Sequence, residues 1–387
     1  MRRMCAALVL LCLLLSGCSR FVVQEYETVS PHAEQHVAAV DEDALTAQNY
    51  LSLKNAILSF VENGVENGVI RTRDYSGEVE EDLAAAAYEV SKLDPLGSYA
   101  VDYMTHDCAR FVSYYEIHIS ITFRRSVEQI RAIRRVSSNA ALPELIDQAM
   151  AAYEPALTVR LSYYDGQDVE ALVRDYYAFN PGKAMELPDV TVNVYPESGY
   201  VRIVEVLFAY SESAESLLQK QEAVASNVRA AGEYVRYRST GAGKLGLLYT
   251  YLQERFRYTP GLSATPVYSF LCEGVAGDEG CAKSLQLICE QIGLECYTVS
   301  GNRSGEPYCW NVVNVDGGYR HIDLFRALAE EESSLPFYAD GELDDYYWDR
   351  EAYPECPDDE PADAPVDSEE SEAVEADGET GEEMEET

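Results

Sequence analysis

The chain has 387 residues, 47% of them hydrophobic, which allows about two or three domains with buried cores. Its 29 Lys and Arg face 68 Asp and Glu, for a formal net charge of -39. Such a field repels polyanions, so neither a nucleic-acid-binding surface nor attraction to anionic lipid headgroups is expected. Five His limit imidazole chemistry, and 29 Tyr against 10 Phe bias the aromatics toward rings with a polar tip.

Arg2 and Arg3 precede an apolar run from Cys5 to Leu15, too short to span a bilayer and laid out like an export signal. The run ends in Leu15-Ser16-Gly17-Cys18, which resembles the lipobox of bacterial lipoproteins. That resemblance implies cleavage after residue 17. It also implies a lipid on Cys18 and a chain anchored at the extracytoplasmic face of a bacterial membrane. Residues 18–45 read as a polar lead-in. Seven cysteines then remain: Cys108, Cys272, Cys281, Cys289, Cys296, Cys309 and Cys356. The odd number leaves at least one unpaired within the chain, and no paired CxxC spacing supports a zinc site.

Residues 46–210 are expected to form an α+β module. Leu53, Ile57, Phe60 and Val61 fall at helical spacing within 46–65, and an Ala-rich helix follows near 79–92. Ile117, Ile119, Ile121 and Phe123 alternate as in a half-buried strand, with His118 on the solvent side. Ala156 to Tyr164 and Val201 to Tyr210 alternate likewise. Phe123 and Phe208 occupy matching places 85 residues apart, with Ser126 and Ser211 matching as helix caps. His106, Asp107 and Cys108 read as a loop. Residues 211–243 read as a helical linker. The stretch 357–387 holds 15 acidic and no basic residues, with no Trp, Tyr, Phe or Leu, so it is expected to stay disordered.

The densest signal lies in 244–350. Glu273-Gly274 and Gly280-Cys281-Ala282-Lys283 lead into a helix whose apolar face is Ala282, Leu285, Ile288, Cys289 and Ile292. A strand from Glu295 to Val299 follows. After it comes a hairpin of Cys309-Trp310-Asn311-Val312-Val313 and Tyr319-Arg320-His321-Ile322-Asp323 around Asp316-Gly317. Order and wording resemble the transglutaminase-like superfamily. That resemblance implies a papain-like α+β core, with a central helix packed on an antiparallel sheet. It also implies a thiol at the helix head, a His on the facing strand and an Asp one strand later.

In this chain the three positions read Asp278, Tyr308 and Asp323, so thiol and imidazole are both replaced. Asp278 is expected to cap the helix, and Tyr308 to donate to Asp278 or Asp323. The resulting expectation is a non-catalytic surface lipoprotein that binds a peptide, protein or cell-wall polymer, with no cofactor and no metal. The alternative is a peptidase or amide transferase using a displaced Cys281, one turn after Asp278, with His321 as its base.

Overall fold

The structure, a computed structural model, describes residues 44–255 and 258–358. The expected export signal, the expected lipid site Cys18, nearly all of the lead-in and most of the acidic stretch lie outside the described residues. Among those described, no helix is long and apolar enough to cross a membrane. The architecture is mixed α+β, with three four-stranded sheets and one two-stranded pair among the described residues.

The first sheet contains β1 (Leu45–Asn49), β2 (Asn67–Ser76), β3 (Val101–Arg110) and β4 (Tyr115–Phe123) in the order β1-β2-β4-β3. β1 runs parallel to β2, and the other pairings are antiparallel. The helix expected from residue 46 begins at Tyr50, because Asn49 and Ser52 cap it reciprocally and leave 45–49 extended. Its inner face is Leu53, Ile57, Phe60 and Val61, as the spacing requires. His106, Asp107 and Cys108 lie in β3, not in a loop. β3 is a largely exposed sheet edge, so it lacks the apolar alternation that marks β4.

The second sheet contains β5 (Arg134–Val136), β6 (Ala156–Leu161), β7 (Asp189–Tyr195) and β8 (Arg202–Ala209) in the order β5-β6-β8-β7. β5 is parallel to β6, and the remaining pairs are antiparallel. Helices occupy the same two connections as in the first sheet. The stretch 46–210 is therefore two copies of one topology, each with its own apolar cluster, where one module was expected. Ile203 of β8 packs into the first cluster. Glu205, buried beside it, pairs with Arg125 at 2.7 Å, and that guanidinium also covers the Tyr99 ring. These contacts join the two units.

The repeat frays after β8. Ser213, not Ser211, caps the helix Ala214–Val235 by accepting from Ser216 N–H. Ser211 N–H goes instead to Glu186, at 2.5 Å. That helix is not a free linker. Leu217, Val224, Val228, Ala231 and Val235 share one apolar cluster with the helix Gly241–Arg255 and the central helix Asp278–Ile292. Ahead of the central helix, β9 (Thr259–Pro260) pairs parallel to β10 (Val275–Ala276). The third sheet contains β11 (Cys296–Arg303), β12 (Glu306–Val315), β13 (Gly318–Ile322) and β14 (Tyr346–Tyr347) in the antiparallel order β13-β12-β11-β14. Asp316 and Gly317 turn the β12–β13 hairpin with φ of 54° and 99°. The Asp316 carboxylate then accepts from Gly241 and Ala242 N–H, capping the helix that starts there.

Candidate functional site

The head of the central helix is held by close backbone approach. A Cβ at Gly280 would stand 2.6 Å from the Pro266 carbonyl oxygen, so only glycine fits the first turn against that segment. Gly277 is the N-cap and makes no side-chain cap bond, which corrects the expectation for Asp278. Asp278 is the first helical residue, and its Oδ2 accepts from Cys309 N–H across the gap to β12, at 2.8 Å. The carboxylate therefore ties helix head to strand while lying in the favourable field of the helix N-terminus.

Tyr308 stands next to that tie. Its hydroxyl donates to Asp323 at 2.9 Å, so the Asp323 partner is the one realised. Tyr346 donates to the same carboxylate at 2.6 Å, Arg326 N–H at 2.8 Å, and Arg303 lies 3.7 Å away. Asp323 is not on β13; it caps the short helix Leu324–Ala329. Burial raises its pKa, and these donors partly offset the rise. Burial also pushes the Tyr308 hydroxyl well above its ordinary range, with Asp323 adding to the effect. A phenol so held keeps its proton and is no general base near neutrality.

Between helix head and strand lies an open cleft of about 200 Å³, walled by Gly261, Leu262, Pro266, Asp278, Glu279, Tyr308 and Cys309 among others. Cys309 lines it, but burial and then Asp278 push its thiol pKa up to about 11. Beside it, Lys283 pairs with Glu279 at 3.0 Å and sits 3.2 Å from the centre of the Tyr177 ring, so the second α/β unit abuts this end of the helix.

The displaced pair, Cys281 and His321, is not brought together. Cys281 is buried in the apolar cluster on the helix side of the sheet, and burial raises its thiol pKa well above the usual value, with Asp323 and Asp278 adding to the rise. His321 is buried too, but strand parity sends it to the other face. Ile322, its neighbour, packs with the central helix, while His321 pairs with Val312 and meets the rings of Trp310 and Trp348. Trp310 Nε1 donates to His321 Nδ1 at 2.9 Å, and Nε2 lies 2.7 Å from Asp340. Asn311, by contrast, faces the central helix and donates to the Ala282 carbonyl at 2.9 Å.

His321, Asp340 and Cys356 offer nitrogen, oxygen and sulfur within 4.8 Å of one another, as a metal site would. The ring's tautomer opposes it. Indole N–H can only donate, so Nδ1 must carry a lone pair and the ring proton sits on Nε2, aimed at Asp340. A metal at Nε2 would need that second proton removed, whereas metal-bound imidazoles keep N–H on the far nitrogen. The three residues read as a hydrogen-bonded cluster that holds the 340–356 segment behind the sheet.

Arg303, Tyr346, Asp340 and Cys309 complete these arrangements without having been marked in the sequence. Arg303 and Tyr346 become cross-strand partners of β11 and β14, a pairing that residues so far apart along the chain do not advertise.

No protein-family model matches the chain, and no curated protein matches it. Among solved structures, one described as the crystal structure of a TGase shows a weak, partial similarity, with a TM-score of 0.24 and 11% identity. It covers 44% of this chain, and the chain spans about half of that protein's length (50%).

Proposed function

We propose that this chain is a lipid-anchored, non-catalytic transglutaminase-like protein that holds an extended peptide or wall polymer in the cleft at the head of the central helix. The observation that carries the reading is the wiring of Asp278 and Tyr308. The carboxylate at the helix head is bonded to backbone and the phenol on the facing strand to Asp323, so no thiol–imidazole pair stands there. The anchor rests on the run from Arg2 to Cys18. The extracytoplasmic location follows from the same residues.

The displaced-thiol reading fares worse. A buried thiol with a raised pKa has little thiolate, and its supposed base lies across the sheet with both ring nitrogens engaged. Peptide-amide hydrolysis and amine transfer assays with the full chain are expected to give the same background rate for wild type and Cys281→Ala. Iodoacetamide should label Cys309 before Cys281. Turnover abolished by Cys281→Ala would overturn the proposal.

A further inference from the structure

Away from the cleft, both α/β units expose a stacked aromatic pair at the same end of their sheets. In the first unit Phe111 and Tyr114, in the β3–β4 turn, stack with centroids 4.8 Å apart and planes 10° apart. In the second, Tyr200 in the β7–β8 connection stacks on Tyr163 just beyond β6, at 5.4 Å and 13°. Tyr200 is 71% exposed and Tyr163 49%. Rings at a hairpin tip contribute nothing to either core, and their recurrence ties them to the repeated topology.

The second pair has more around it. An open cleft of about 470 Å³ runs beside Tyr200, lined by Tyr164, Asp165, Gly166, Gly199 and Arg202. Gly166 and Gly199 have positive φ, and nothing lies within 4 Å of a Cβ built on either, so the backbone floor is bare. Arg202 is fixed by donating from Nε to the Gly199 carbonyl at 2.7 Å, with its guanidinium over the Tyr164 ring. Asp165 supplies a carboxylate that also accepts from Asn139.

An exposed ring face bordered by a guanidinium, which only donates, and a carboxylate, which only accepts, selects a ligand with an apolar face and edge groups able to do both. A pyranose with its hydroxyls has that form. A proline-rich peptide brings apolar ridges but only carbonyl acceptors, which Asp165 would oppose. A net charge of -39 disfavours polyanionic ligands. We infer that the cleft beside Tyr200 is a binding site for an uncharged, hydroxyl-rich glycan, separate from the cleft at Asp278.

Calorimetric titration of the full chain with cellohexaose and chitohexaose, and with decaproline as the peptide probe, tests this. At least one hexasaccharide should bind saturably. Tyr200→Ala should weaken it about tenfold, and Asp165→Asn and Arg202→Met should each weaken it, while Leu262→Ser in the other cleft leaves it unchanged. Tyr200 is exposed, so Tyr200→Ala should keep the wild-type circular dichroism and melting point. The inference is overturned if neither hexasaccharide binds, if Tyr200→Ala leaves the affinity unchanged, or if only decaproline binds and Tyr200→Ala weakens it.

Discussion

The two faces of the β13-β12-β11-β14 sheet make opposite use of polar residues. On the helix side, Asp278 and Cys309 border a cleft that stays open, with Tyr308 at its rim and its ring packed against the far-side cluster. On the far side, His321, Trp310, Asp340 and Cys356 form a closed cluster under Trp348 and Tyr346. Cys281 and His321 look like partners along the chain, but one lies on each face. Because side chains alternate across a strand, the sheet stands between them, and no rotamer change joins them. An open polar edge can take a ligand, whereas a closed cluster can only hold the fold.

The sharpest way to break this contrast is Asp323→Ala, because Asp323 is where cleft and fold meet. It would strand the donors from Tyr308, Tyr346 and Arg326 N–H, and urea unfolding should show a loss of about 3–5 kcal/mol. Asp278→Ala, at the open edge, should cost only about 1–2 kcal/mol. Equal losses would mean the cleft edge is as structural as the buried carboxylate.

On the far face, Trp310→Phe keeps a ring but removes the donor to His321, and should cost about 1–3 kcal/mol in the same measurement. A loss near zero would mean the indole–imidazole bond does not hold the cluster.

A smaller effect sharpens the comparison through pH. Burial holds the His321 pKa below its ordinary 6.5, against the pull of Asp340. As pH falls, the unfolded chain takes up this proton first. The stability contributed by the neutral ring is therefore full above 6.5 and declines as pH falls toward the lower folded value. Thermal melts of wild type should decline more steeply below 6.5 than those of His321→Gln. Parallel curves would mean the ring is free to protonate in the fold.

Much of the local architecture was legible because its physics is local. Leu53, Ile57, Phe60 and Val61 mark a helix face, Ile117 to Phe123 a strand, and Asp316-Gly317 a hairpin, all through periodicity or turn chemistry. The repeat was visible only as Phe123 matching Phe208, since β3 is an exposed edge strand and β5 only three residues long, and neither carries a clear pattern. The helix Ala214–Val235 read as a connector because its polar side is broad, yet six buried residues on one stripe seat it in the core.

At the candidate site, the residue identities were legible along the chain: a carboxylate stands at the helix head and a phenol on the facing strand, and neither identity depends on packing. Tertiary structure decided where each group spends its hydrogen bonds. Asp278 turned from cap to cross-link because Gly277 already ends the turn, and His321 turned from candidate base to buried strut because strand parity placed it behind the sheet. Those outcomes depend on partners brought close only by folding, which no spacing along the chain encodes.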